Sequence, residues 1–138
     1  MTQERAIRLE WTGEGLQFEG RGMDPPSPTI TLDGDGATGP SPMLALLLAA
    51  ASCSASDVVV IFRKMRIDLR EVTVDVRGTR RDEEPRRYIA IHFRFRLAGD
   101  GLDRSKAERA VSLSLEKYCS VVHSLAPDIR IDHDIELA

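Results

Sequence analysis

The sequence lacks the residues on which disulfide-stapled and fibrous proteins depend. Its 138 residues include two cysteines, too few for a disulfide scaffold, and aromatic residues make up only 5%. Hydrophobic residues at 42% and charged residues at 30% are ordinary for a globular protein, which argues against a largely disordered chain. We therefore expect one folded domain over residues 1–138 with a hydrophobic core of its own.

An excess of charge of one sign is also absent. Nineteen Lys and Arg residues stand against 22 Asp and Glu residues, which gives a formal net charge of −3. Domains that bind DNA or RNA normally present a basic face. We therefore expect no nucleic-acid partner.

No segment has the pattern of a secretion signal or of a membrane span. The first residues, MTQERAI, carry charge without a following apolar stretch. The longest apolar run, Pro42 to Ala51, is well short of the ~20 residues that a span needs. These absences predict a cytoplasmic protein with no membrane partner. In that reducing compartment, two cysteines are either inert core thiols or redox-active groups.

Alternating apolar and polar residues predict strands, and glycines and prolines separate them. Two strongly alternating strands enclose a charged hairpin tip at 81–87, and the glycine-rich loop 34–39 is predicted to be a plain connection. With the helices described next, the order is β-β-β-α-β-β-α-α-β, an α+β fold with a mostly antiparallel sheet. The predicted strands cover residues 6–11, 16–19, 29–33, 69–80, 88–97 and 129–137.

Three helices are predicted between these strands. Ser41 as N-cap and Pro42 in the first turn open a long helix over residues 42–66. Its first half, Met43 to Ala51, is apolar on every side, so protein must cover it all round. A chain of this size has little material for that, and we expect a homodimer that buries the helix. Asp103 caps a second helix over 104–117, and a third covers 118–125.

Cys53 and Cys119 are the residues with the most distinctive chemistry. They are 66 positions apart, so they form no CxxC motif and only the fold can bring them together. From the residues alone, structural thiols, a redox pair and a metal site all remain open. The three histidines lie on different predicted elements at no metal-ligand spacing, which leaves metal binding the weakest alternative. They are His92, His123 and His133.

The two cysteine-bearing segments resemble a known family. Residues 39–61 read GPSPMLALLLAAASCSASDVVVI, and residues 108–121 read ERAVSLSLEKYCSV. Both are similar to the OsmC/Ohr superfamily, most closely to its YhfA-like branch, and the resemblance extends over essentially the whole chain. It implies an OsmC-like fold with a long buried central helix, assembled as an intertwined homodimer with reactive sites at the subunit interface.

The same resemblance implies thiol-dependent reduction of organic hydroperoxides, as in oxidative-stress defence. Cys53 would be the peroxidatic thiolate, Cys119 the resolving thiol, and Arg21 the arginine that holds the thiolate and polarises the peroxide. An external dithiol of the lipoyl type would restore the pair, and no bound cofactor or metal is implied. The alternative for Arg21 is a solvated arginine in a loop.

One departure from the family pattern weakens this interpretation. The family has a glutamate in the first turn of the buried helix, paired with the arginine, whereas this sequence has Met43 and Leu44 there. Either Arg21 points elsewhere, or Asp57 or Glu19 substitutes, or peroxidase activity is slow or absent. For Asp57, a structural role is favoured over that of a substitute for the glutamate. The alternative functions are a non-enzymatic dimer that binds a small apolar or electrophilic ligand, and a structural dimer with inert thiols.

Overall fold

The computed structural model describes residues 2–138, and its elements follow the predicted order. The contacts along the chain divide it into two compact units, one that ends at Leu46 and one that spans Leu47–Ala138. The strands are β1 (Ile7–Trp11), β2 (Gln17–Gly22), β3 (Ile30–Asp33), β4 (Asp68–Arg80), β5 (Tyr88–Asp100) and β6 (Arg130–Leu137). The helices are α1 (Pro42–Lys64), α2 (Arg104–Leu113) and α3 (Ser120–His123), with a π-helical turn at Ser114–Tyr118.

The first unit contains an antiparallel sheet in the order β1-β2-β3. The predicted hairpin is confirmed, with Trp11 opposite Phe18 and Gly13 and Gly15 at positive φ in the turn, where glycine avoids the strain of a side chain. Alternation along β1 places Ile7, Leu9 and Trp11 on one face, and all three are exposed. Exposed apolar patches are common at sites where proteins contact other molecules.

The loop at 34–39 is more ordered than a plain connection, which corrects the sequence-based expectation. The buried carboxylate of Asp33 accepts hydrogen bonds from the backbone of residues 35, 37 and 38, and a fourth from the Thr38 hydroxyl. These bonds, those from Thr38 and Asp35 above all, hold the pKa of Asp33 below its usual range. The hydrogen bonds that hold the loop together are therefore accepted by Asp33, the residue just before it.

The second unit contains a sheet in the order β4-β5-β6. β4 and β5 are antiparallel, whereas β5 and β6 are parallel. The described part of the chain thus has two three-stranded sheets, and their pairing is mostly antiparallel, as predicted. Alternate residues of β5 form the core, and the rings of Phe93 and Phe95 stack with centroids 6.2 Å apart. The fully buried apolar residues of β5 are Ile91, Phe93, Phe95 and Leu97.

Helix α1 buries one stripe and leaves apolar side chains outside it. The buried positions recur every three or four residues, which is one face of a helix. Leu44, Leu48 and Val60 on other faces are exposed. By length and composition the 23-residue helix is also apolar enough to cross a membrane, a property that core helices of soluble proteins share. The short apolar run noted above therefore does not by itself exclude a span. The buried stripe is Leu47, Ala50, Ser54, Val58 and Phe62.

The region before Cys119 differs from the predicted continuous helix over 104–117. Asp103 does cap α2, where its carboxylate accepts a hydrogen bond from the backbone N–H of Lys106 at 2.8 Å. However, α2 ends at Leu113, and the chain widens into the π-helical turn. The N–H of Cys119 closes that turn by donating to the carbonyl of Ser114, five residues earlier, at 2.7 Å. The third helix is correspondingly short, four residues rather than eight.

Candidate functional site

The second unit brings Cys53 and Cys119 together. Cys53 lies in the middle of α1 and is half-buried, while Cys119 follows the π-helical turn and is fully buried. Both thiols are free, and they are close enough that Cys53 contributes to the raised pKa of Cys119. The Cys119 sulfur is also 3.9 Å from the carbonyl oxygen of Ala50, one turn earlier on α1. Two neighbouring free thiols can take part in disulfide chemistry.

Burial keeps the Cys119 thiol protonated at neutral pH. Loss of solvent raises the pKa of Cys119 to about 11, and the neighbouring Cys53 and the charge of Asp57 add to the rise. The backbone N–H of Val122 partly offsets it. A thiol in this state is a weak nucleophile but retains a proton that it can give to a leaving group.

Next to the two thiols, a buried chain of hydroxyl groups ends on Asp57. The Oγ atom of Ser114 is 2.9 Å from the Oγ atom of Ser54 and 2.9 Å from the Oδ2 atom of Asp57. Because a hydroxyl has one proton, Ser114 donates it to the carboxylate, and the hydroxyl of Ser54 donates to Ser114. Both serines are fully buried, so these bonds satisfy groups that water cannot reach.

Sequence reasoning missed the roles of these serines. Ser54 reads as one of several small residues on a packed helix, and Ser114 as an ordinary position within α2. The only signal was indirect, since Ser54 and Asp57 lie three residues apart on one side of α1. The structure supports the structural interpretation of Asp57, whose carboxylate is bonded within its own chain to Ser114.

Arg21 has a partner that the sequence did not indicate. It lies in strand β2 rather than in a loop, and its Nη1 atom is 2.8 Å from the Oε1 atom of Glu10 on β1. The two candidate substitutes for the missing family glutamate were Glu19 and Asp57, and neither is the acid bonded to Arg21. The first turn of α1 contains no acidic residue. The guanidinium is therefore held by a carboxylate from its own sheet.

An open cavity of about 660 Å³ lies between α1, α2 and the π-helical turn. We call it the α1–α2 groove. Its lining includes Tyr118 and Asp57, the residue at which the buried hydroxyl chain ends, and neither cysteine is part of the lining. The other lining residues are Val60, Ile61, Lys64, Met65, Arg109 and Leu113.

The outer face of the second sheet bears a ladder of opposite charges, and one of the three histidines, His92, takes part in it. His92 on β5 bonds to Asp132 and Asp134 on β6, and these contacts, that with Asp132 first, raise its pKa. His133 bonds to Glu108 at 3.0 Å, while His123 is exposed on α3. Over residues 2–138, no three His, Cys, Asp or Glu side chains cluster closely enough to hold a metal ion.

The family model for OsmC-like proteins matches residues 33–134, which include both cysteines and the hydroxyl chain. The chain belongs to the OsmC-like protein family. It is 40% identical to Protein YhfA of Escherichia coli over 131 residues, 94% of this chain and 96% of that protein. The family and the fold expected from the resemblance are thereby confirmed.

Solved structures agree on the fold. A hypothetical protein from Aquifex aeolicus superposes with a TM-score of 0.83 at 28% identity, over 99% of each chain. The organic hydroperoxide resistance protein OhrB of Bacillus subtilis superposes with a TM-score of 0.58 at 19% identity, over 99% of this chain and 98% of that one. At that identity the likeness to OhrB is one of fold.

Proposed function

We propose that this protein reduces organic hydroperoxides with a redox pair formed by Cys53 and Cys119. The observation that carries the proposal is that the fold packs Cys119 against the helix that holds Cys53, with the Cys119 sulfur 3.9 Å from the carbonyl oxygen of Ala50, although no CxxC spacing brings the two cysteines together. The family includes proteins described as organic hydroperoxide resistance proteins, which supports the same chemistry. The greater exposure of Cys53 makes it the residue that a substrate reaches first.

The two thiols have different roles in the proposed reaction. The Cys53 thiolate attacks the terminal oxygen of the hydroperoxide, the O–O bond breaks, and the alkoxide leaves and takes up a proton as the alcohol. Cys53 is then a sulfenic acid. The Cys119 sulfur attacks that sulfur, a disulfide forms, and the hydroxide leaves as water with the proton of the Cys119 thiol. An external dithiol of the lipoyl type reduces the disulfide and is itself oxidised.

Arg21 is the proposed cation for the peroxidatic step. Its pairing with Glu10 limits how well it can be positioned at the reacting oxygen. A positioned charged donor at the reacting oxygen is typically worth ~3 kcal/mol of barrier, about two orders of magnitude in rate. In this chain the carboxylate that engages Arg21 belongs to β1 and not to the first turn of α1. We therefore propose measurable but slow peroxidase turnover.

The active assembly in this proposal is a homodimer in the cytoplasm. The exposed apolar residues of α1 and of β1 need protein cover in water, and a second copy of the chain supplies it. In the same proposal, α1 is a core helix of the dimer rather than a membrane span. No nucleic acid takes part.

Thiol counting during a single turnover tests the redox pair. One equivalent of cumene hydroperoxide should remove both free thiols of the reduced protein together, and dihydrolipoamide should restore both. Replacement Cys119→Ser should leave a sulfenic acid on Cys53 that dimedone traps. The matched variant Cys53→Ser should consume no peroxide. Loss of only one thiol in the native protein would exclude Cys119 as the resolving residue.

The second candidate function is non-enzymatic binding of a small ligand. Two features favour it: the first turn of α1 has no acidic residue, and the α1–α2 groove is mostly apolar. It would be the better interpretation if neither the native protein nor its Leu44→Glu variant consumed peroxide with any dithiol.

A further inference from the structure

We propose that Ser114 is a positioning residue of the redox pair, which holds Cys119 for the resolving step together with the π-helical turn that it opens. The inference rests on the redox pair of the proposed function. It deepens that function by giving a role to a buried hydroxyl group that the reaction itself does not use.

The segment from Ser114 to Cys119 is anchored to α1 at both of its ends. At the first end, the Oγ atom of Ser114 lies 2.9 Å from the Oγ atom of Ser54. At the other end, the Cys119 sulfur lies 3.9 Å from the carbonyl oxygen of Ala50. Ala50 and Ser54 are successive positions of the buried stripe, one turn apart. Cys53 lies between them in the chain, so both anchors are within one helical turn of the peroxidatic residue.

The π-helical turn determines how far the chain winds before it reaches Cys119. In an α-helix the N–H of Cys119 would donate to the carbonyl of Leu115, four residues earlier. It donates instead to the carbonyl of Ser114 at 2.7 Å, so the turn holds one residue more. Because one residue of an α-helix corresponds to about 100° of rotation, an α-helical turn would present the Cys119 side chain in a different direction.

The anchor at Ser114 lies where water cannot replace it. Both Ser54 and Ser114 are fully buried, and a buried polar group that loses its partner is costly. The hydroxyl of Ser114 donates to the carboxylate of Asp57 at 2.9 Å, and hydrogen bonds to charged groups are the stronger ones. A change in this side chain therefore acts on the turn whose last bond, from the N–H of Cys119, ends on the same residue.

Equilibrium with glutathione measures the positioning without any peroxide. Oxidised glutathione takes two electrons and both thiol protons from the cysteine pair, which becomes a disulfide, and leaves as two molecules of reduced glutathione. We expect Ser114→Ala to lower the equilibrium constant at least about tenfold, which raises the reduction potential by about 30 mV, because small displacements of reacting groups have large effects. Ser112→Ala is the matched control, since Ser112 is only half-buried, and it should leave the constant unchanged.

Separate rates for the two steps distinguish positioning from a general loss of structure. In a Cys119→Ser background, Ser114→Ala should leave the rate of sulfenic acid formation on Cys53 unchanged, because only the resolving residue is displaced. In the protein with both cysteines, the same change should slow disulfide formation about tenfold or more.

Two variants of Asp57 test the anchor from its other side. Asp57→Ala removes the acceptor of the Ser114 hydroxyl and should lower the equilibrium constant with glutathione as Ser114→Ala does. Asp57→Asn should lower it less, because the amide oxygen still accepts that hydrogen bond.

A shorter turn tests the π-helical geometry. Deletion of Glu116, an exposed residue of the turn, removes the additional residue and should abolish disulfide formation with oxidised glutathione. Glu116→Ala is the control and should behave as the native protein does. If the shortened chain does not fold, the comparison of Ser114→Ala with Ser112→Ala decides the question.

Three results would overturn the proposal. Equal equilibrium constants for the native protein and Ser114→Ala would mean that other contacts hold Cys119. Equal slowing of both steps would assign Ser114 to stability alone. Absence of a disulfide in the native protein with oxidised glutathione would mean that Cys119 is not positioned for Cys53. A native protein that forms this disulfide but consumes no peroxide would contradict the peroxidase function and support the positioning role.

Discussion

The hydroxyl oxygen of Ser114 lies 2.9 Å from a carboxylate oxygen of Asp57, and this bond connects the middle of α1 to the start of the π-helical turn. The carbonyl of Ser114 accepts the N–H of Cys119 that closes the same turn. One residue thus bonds through its side chain to the helix that holds Cys53 and through its backbone to Cys119. The position of one thiol relative to the other depends on it.

Ser114→Ala should therefore destabilise the fold and disturb the thiol pair. The change leaves the buried hydroxyl of Ser54 and the carboxylate of Asp57 without their shared partner, which costs ~1–3 kcal/mol. Urea unfolding at fixed protein concentration measures the loss. Ser112→Ala is the control, because Ser112 is only half-buried, and it should change the free energy of unfolding much less. Disulfide formation after peroxide addition should slow in Ser114→Ala alone.

Asp57→Asn should lower the pKa of Cys119 from about 11, because the charge of Asp57 is one of the causes of its rise. Ultraviolet absorbance of the thiolate in a Cys53→Ser background isolates this titration. Asp128→Asn is a matched loss of charge, since Asp128 is exposed and paired with Arg87. It should leave the titration unchanged, and an unchanged curve in Asp57→Asn would contradict the role given to that carboxylate.

The raised pKa of Cys119 also predicts a loss of stability in alkali. The folded state holds the thiol proton up to a pKa of about 11, whereas the unfolded state releases it near 9.0. Between those values the folded protein binds more protons, so the free energy of unfolding should fall as pH rises. Cys119→Ser should flatten that part of the curve. A similar slope in both proteins would assign the alkaline loss to other groups.

The pair formed by Arg21 and Glu10 predicts how peroxidase turnover responds to new acids. Leu44→Glu restores a carboxylate where the family has one, and turnover with cumene hydroperoxide and dihydrolipoamide should increase. Glu10→Gln in the native background should also increase it, because it releases Arg21 from the carboxylate on β1 that lies 2.8 Å away. The matched control, Leu48→Glu, adds the same charge at another exposed leucine of α1 and should not raise turnover. If Asp57→Asn abolished an otherwise efficient reaction, the orienting acid would be Asp57 instead.

His92, on the outer face of the second sheet, predicts a second pH dependence of stability. Its pKa is raised because Asp132 favours its charged form, whereas the pKa of Cys119 is raised because burial disfavours the charged form. The hydrogen bond to Asp132 raises the pKa of His92 above 6.5 in the folded protein. The stabilisation is therefore fully present below pH 6.5 and is lost as pH rises through the folded pKa. NMR titration of the ring protons should show Asp132→Asn moving the midpoint down, with no change for Asp128→Asn.

The element order and the family followed from the sequence. Alternation in residues 69–80 and 88–97 predicted strands because a strand with one buried face repeats every two residues. The apolar first half of α1 indicated a helix that needs more cover than one chain offers, and the two cysteine segments indicated the family. All of these signals are local, so a single stretch of residues carries each of them.

The contacts between distant residues were decided by the tertiary structure alone. Cys53 and Cys119 are 66 positions apart, and Ser114 and Asp57 are 57 apart. The parallel pairing of β5 with β6 and the π-helical turn before Cys119 also left no local pattern. A periodic pattern reports which face of an element is buried, but not which other element buries it. The buried bond between Ser114 and Asp57 exists only because packing brings two helices together and excludes the water that would otherwise satisfy both groups.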